Sequence, residues 1–130
     1  MEKIKMSVTL PVSAIELYNA WLDSKKHSEF TGGEAVMSKK KNGKFTAWDE
    51  YITGTNIELQ EGKFIKQAWR TQEFDGEAPN SIVEITFEER KGNTTMNLYH
   101  YNLQKGDGKK YEKGWEDHYF KPMRAYFKAK

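Results

Sequence analysis

The residues of this chain best suited to acid–base or metal chemistry near neutral pH are its three histidines, His27, His100 and His118. No two of them are spaced i, i+4, and no acidic pair completes a ligand set, so no metal site is expected. Cysteine is absent, which excludes disulfides, thiolate zinc sites, iron–sulfur ligation and cysteine nucleophiles. A Ser–His–Asp set has no G-x-S-x-G elbow to carry it. A general base at His100 or His118 needs a positioned partner, and the sequence displays none. Asp49 and Glu50 are adjacent, and neighbours on a strand point to opposite faces, so they cannot act as a pair. Gly106-Asp107-Gly108-Lys109 lacks the phosphate-loop spacing and reads as a turn with Asp107 capping a helix. Lys39-Lys40-Lys41 and Lys44 gather charge without interleaved aromatics for base stacking, the pattern of a solvated hairpin tip. No catalytic residue and no cofactor is therefore assigned, and the expectation is a protein that is not an enzyme.

The remaining candidates are aromatic and polar residues aimed inward. Trp69 shares a strand face with Ile65 and Gln67, and His100 and Asn102 continue the face of Met96 and Leu98. Trp115, Tyr119 and Met123 come from a helical stripe that also holds Tyr111 and Tyr126. Tyr51 joins this candidate set. Two readings stay open: these side chains fill a bulky core, or they line a small-ligand cavity with a few polar groups. In the second, His100 and Asn102 orient the polar end of a small apolar or amphipathic ligand, and the rings supply contact area.

The elements that must position them follow from periodicity. Residues 2–10 alternate as a strand, closed by Pro11. Ser13 precedes Glu16 by three, a capping-box spacing that starts a helix through Leu22, and a second short helix covers Ser24–Phe30 before Gly32-Gly33. Strands are expected over 34–41, 44–53, 55–60, 63–71, 81–90 and 94–103, with Asn42-Gly43 closing the first hairpin. A long helix from about Lys109 ends the chain, bent or irregular because of Gly114 and Pro122. The order reads as α+β: a curved antiparallel sheet of six to seven strands holding one helix across its inner face. The length of 130 residues fits a single domain, 1–130.

Composition narrows the function classes. A net charge of +2 excludes a nucleic-acid binder defined by bulk charge. An aromatic share of 14% argues against disorder. No apolar run approaches the ~20 residues of a membrane span. The first residues lack the apolar region of a secretory signal, so a cytoplasmic protein is expected, and a monomer is expected beside it.

Ordered fragments over Pro11 to Phe127 carry a resemblance. Gly43-Lys44-Phe45-x-x-Trp48-Asp49, Ile52-Thr53-Gly54-Thr55, Glu58-Leu59 and Lys63-x-Ile65-x-Gln67-x-Trp69-Arg70 are followed by Thr95-Met96-x-Leu98-x-His100 and Gly114-Trp115-x-x-x-Tyr119-Phe120. This set resembles the domain homologous to the C-terminal part of the activator of the ninety-kilodalton heat-shock-protein ATPase. Glu50 stands where that family often has Gly, and Pro122 interrupts the helix. The resemblance implies the START-like helix-grip fold, with a cavity between sheet and terminal helix, and no shared catalytic residues. It also implies a second function: a chaperone-associated interaction domain, partnered by a chaperone ATPase in a stress response. In the eukaryotic co-chaperone a separate N-terminal domain does much of the stimulation, and these 130 residues leave no room for it.

Overall fold

The computed structural model describes residues 1–128. Strand β1 (Glu2–Leu10) is followed by helices α1 (Ala14–Trp21) and α2 (Ser24–Thr31). Five strands come next: β2 (Lys44–Ala47), β3 (Ile52–Gln60), β4 (Phe64–Thr71), β5 (Ser81–Arg90) and β6 (Asn93–Leu103). The chain ends in α3 (Asp107–Trp115), a π-helical turn (Glu116–Phe120) and α4 (Lys121–Lys128). All six strands form one antiparallel sheet in the order β1-β6-β5-β4-β3-β2. Each strand after β2 pairs with its predecessor, and β1 closes the far edge against β6. The architecture is the expected α+β helix-grip arrangement, with six strands.

Alternation decides which face is covered. Along β4 every second residue is buried, Ile65, Gln67, Trp69 and Thr71, while their neighbours are only partly covered. Val83, Ile85, Met96 and Leu98 continue this inner face across β5 and β6. The terminal helix contributes Tyr111, Trp115, Tyr119, Met123 and Phe127 to the same core. Ser13 caps α1, its hydroxyl accepting from Glu16 N–H at 3.2 Å, as the capping-box spacing requires.

Four local expectations need correction. Residues 34–41 do not form a strand; only Val36 bridges to Thr46, so the sheet lacks the seventh strand. The strand expected over 44–53 stops at Ala47, because Trp48, Asp49 and Glu50 all adopt left-handed backbone, φ 52°, 57° and 70°. Gly54 lies within β3 instead of ending a strand: a Cβ there would sit 2.0 Å from the Ala68 carbonyl oxygen. Asp107 does not cap α3. Gly106 is the cap residue, and the Glu2 carboxylate of β1 accepts from Gly106 and Gly108 N–H at 2.8 and 2.7 Å.

The irregularity expected in the last helix takes a defined form. Pro122 lacks an N–H, and in an unbroken α-helix its ring would press on the His118 carbonyl. The π turn widens the helix immediately before it, with Lys121 N–H bonded to the Glu116 carbonyl. Among the described residues no helix is long and apolar enough to cross a membrane.

Candidate functional site

Where α3 and the π turn diverge from the strands beneath them, a cleft of about 450 Å³ remains. Its sheet side carries Trp48, Tyr51 and Trp69; its helix side carries Tyr111, Trp115 and Tyr119. The rings pack at van der Waals distances: Trp69 to Trp115 at 5.6 Å, Trp69 to Tyr111 at 5.4 Å edge-on, and Trp115 to Tyr119 at 4.8 Å between centroids. Gly114 completes the helix side, and a Cβ built on it meets nothing within 4 Å. Charged residues stand at the rim, Glu73 paired with Lys110 and Lys113 with Asp117. Tyr51 donates to the same Glu73 carboxylate. Burial and then this carboxylate raise the Tyr51 phenol pKa, and Lys110 and then Tyr51 hold the Glu73 carboxyl below its ordinary range.

Of the nine residues singled out from sequence, Tyr51, Trp69, Trp115 and Tyr119 line the cleft. Met96, Leu98 and Met123 are buried in the core beneath it. His100 lies behind the wall, its ring 4.6 Å from Trp69 and 5.8 Å from Trp115. Its Nδ1 accepts from Trp115 Nε1–H at 2.9 Å, so Nε2 carries the proton and donates to Ser81 Oγ at 2.8 Å. The Ser81 hydroxyl in turn donates to the Trp69 carbonyl at 2.7 Å. Neither ring nitrogen is left to orient a ligand or to take a proton from one. Burial lowers the His100 pKa to about 3. Asn102 does not share the inward face. Its backbone is left-handed, φ 65°, its side chain donates to the Asn80 carbonyl, and Leu103 takes the buried position one residue on. The β1–β6 register shifts at this point, between Glu2 and Ile4.

A second buried histidine supports the π turn. His27 Nδ1 lies 2.8 Å from the Trp21 carbonyl and donates to it, so Nε2 accepts from the Tyr119 hydroxyl at 2.9 Å. Burial lowers its pKa to about 4 against the opposing bond to Trp21. Deeper still, Trp21 Nε1–H donates to Gln67, Gln67 to Asn56, and Asn56 to the carbonyls of Ser38 and Lys40. That ladder anchors the lysine-rich turn to the core. Among the described residues no group of three or more His, Cys, Asp or Glu could hold a metal ion.

Sequence reasoning missed Trp48 and Gly114 as wall residues. Trp48 was hidden by the strand pattern assigned to it, and three successive left-handed residues have no periodic signature. Gly114 was read as a helix weakness and as one residue of the family motif, although a glycine on the inner stripe of an aromatic helix also signals room beside it.

A model of the family described as activator of Hsp90 ATPase homolog 1-like protein matches residues 11–128. An activator of 90 kDa heat shock protein ATPase homolog from Dictyostelium discoideum is 25% identical over 114 residues, covering 87% of this chain and 30% of that protein. The chain spans about a third of the length of the curated relatives it matches, 30% and 37%. Among solved structures, an Hsp90 activator from Plasmodium falciparum superposes with a TM-score of 0.86 at 20% identity, covering 97% of this chain and 96% of that one. A protein from Chromobacterium violaceum superposes at 0.77 with 18% identity, covering 96% of each.

Proposed function

The chain belongs to the activator of Hsp90 ATPase homolog 1-like family, and from that premise we propose that it is a non-catalytic binding domain. Its cleft between terminal helix and sheet takes a small, largely apolar or amphipathic ligand. One observation carries this reading: a cavity of about 450 Å³ walled by six aromatic side chains, within the ~300–1,000 Å³ range of small-molecule sites. The polar atoms of Trp115, Tyr119 and Tyr111 are each bonded to a buried partner, His100, His27 and Thr71, which suits binding by shape and burial.

The test is a screen of uncharged ligands read by amide and indole chemical shifts, repeated on Gly114→Leu. That substitution adds a good helix former where space is open, so the variant folds and the cleft is filled. Binding that moves cleft resonances in the natural chain and disappears in the variant supports the reading. Shifts confined to outer loops overturn it.

A second reading, interaction with an Hsp90-type ATPase, is favoured by the family and by the likeness to the Plasmodium activator. Pulldown against the host chaperone with a steady-state ATPase assay tests it. Absence of binding at tens of micromolar, about −6 kcal/mol of association free energy, counts against it.

A further inference from the structure

Among the described residues, Trp48 Nε1 is the one buried side-chain nitrogen or oxygen without a hydrogen-bond partner. Buried donors are seldom left unmatched, and one that is unmatched calls for an explanation. Trp48 is also held in a conformation that ordinary side chains avoid, φ 52°, at the head of a run of three left-handed residues. The run is clamped from both sides: Asp49 exchanges backbone and side-chain bonds with Glu34, and Gln72 donates to the Glu50 and Tyr51 carbonyls. Gly33 makes room for the indole, since a Cβ there would stand 2.6 Å from Trp48 Cε3. Cε3 lies on the edge of the indole opposite Nε1, so the seat on Gly33 leaves the N–H edge out of that contact.

Across the cleft stands the other irregular segment, the π turn, whose His118 ring meets the Trp48 ring edge-on at 5.6 Å. Strained backbone and π turns both concentrate at sites of function. Here the two face each other over one cavity.

The rest of the wall defines what the unmatched group selects. Tyr111 is hydrogen-bonded to Thr71, the Tyr119 hydroxyl to His27 and Trp115 Nε1 to His100. The rim charges neutralise one another in the pairs Glu73–Lys110 and Lys113–Asp117. An indole nitrogen donates and never accepts. We propose that the Trp48 N–H is the recognition donor of the cleft and that the ligands it selects are uncharged, flat, ring-bearing molecules with an acceptor oxygen, such as an aryl ketone. This rests on the reading of the cleft as a ligand site and names its ligand class. The N–H is covered by its neighbours, so an acceptor reaches it when one of them moves. His118 is exposed and its ring lies against the indole.

Fluorenone and fluorene make the test, being flat three-ring molecules that differ by one carbonyl oxygen. Each is titrated into ¹⁵N-labelled protein, and the four tryptophan indole resonances are followed, with that of Trp48 identified by its loss in Trp48→Phe. Fluorenone is expected to move the Trp48 indole resonance and to bind about fivefold more tightly than fluorene, the usual worth of one hydrogen bond. In Trp48→Phe the two bind alike. Should that variant fail to fold, the affinity ratio in the natural chain decides. Equal affinities with Trp69 and Trp115 resonances moving would leave the cleft a ligand site and overturn the donor role. If neither ring compound moves a cleft indole, the ligand class is wrong. Decanol, an uncharged alkyl probe, then separates the two readings: cleft shifts with decanol preserve a binding cleft, and their absence removes that as well.

Discussion

Both ring nitrogens of His100 are engaged inside the protein, and so are those of His27, which makes each imidazole neutral in the folded chain. Burial sets their folded pKa values at about 3 and about 4, against roughly 6.5 for an exposed histidine. The unfolded chain therefore takes up protons below pH 6.5 that the folded chain refuses. Stability is fully present above that pH and falls as pH drops, by about 1.4 kcal/mol per pH unit for each histidine. The fall from His27 levels off near pH 4 and that from His100 near pH 3. Urea midpoints measured from pH 7 to 4.5 should decline steeply, and His100→Gln should reduce the slope by about half over that window. A flat profile would mean that these imidazoles are exposed in solution. Glu50 offers a second check on a single residue. At φ 70° with an exposed side chain, it occupies a position that glycine adopts freely and a β-branched residue strongly resists. Glu50→Gly is expected to leave stability unchanged or raise it by up to about 1 kcal/mol, whereas Glu50→Val lowers it by about 1–2 kcal/mol.

The last helix shows how local weakness and available space can coincide. Gly114 faces the cleft with nothing within 4 Å of a built Cβ, so Gly114→Ala meets no obstacle and should stabilise the protein by about 0.5–1 kcal/mol in urea unfolding. A loss of stability would mean that the cleft is closed there in solution. Elements with a strict period were legible in the sequence: the alternation of β4, the stripe Tyr111–Trp115–Tyr119 and the Ser13 cap each follow from local spacing. The seat of the cleft was less so, because its makers are non-periodic. The 34–41 segment, expected as a strand, pairs only through Val36, since its backbone bonds are diverted to Ser24, Ser28 and Asp49 side chains. Asp107 has the residue type of a cap, but a carboxylate from the other end of the chain supplies the cap instead. Trp69, Trp115 and Tyr119 could be placed inward from pattern alone. That His100 is closed off on both nitrogens depends on Ser81 and Trp115, 19 and 15 residues away, which no local pattern joins.

On the scale of the whole molecule, the cleft has two walls that belong to different parts of the chain and meet through the Trp69 ring packed on Tyr111 and Trp115. The sheet wall is fixed by β3 and β4, with the deep ladder from Trp21 through Gln67 to Asn56 behind it. The helix wall is fixed at its far end by α4, where Phe127 packs on Phe30 of α2, and in the middle by Tyr119 on His27. Its near end, the first turns of α3, is held to the sheet by the Glu2 carboxylate on Gly106 and Gly108, by Tyr111 packed on Trp69 and bonded to Thr71, and by the exposed clasp of Lys110 and Tyr51 on Glu73. The clasp partners Lys110 and Glu73 are 43% and 49% exposed, so solvent and salt screen the pair and its share of global stability is small. Its expected effect is local, on how often the first turns of α3 open at the mouth of the cleft. Glu73→Gln should leave the urea midpoint nearly unchanged while amide exchange quickens at residues 109–111 and 72–75. Adding about 1 M salt, which shortens the screening length to about 3 Å, should produce the same pattern in the natural chain. Ligand on- and off-rates should rise together in the variant with little change in affinity, because a clasp that opens more often speeds entry and exit alike. A large drop in the urea midpoint would mean that the clasp carries global stability, and unchanged exchange at those amides would mean that the buried contacts of α3 govern the opening.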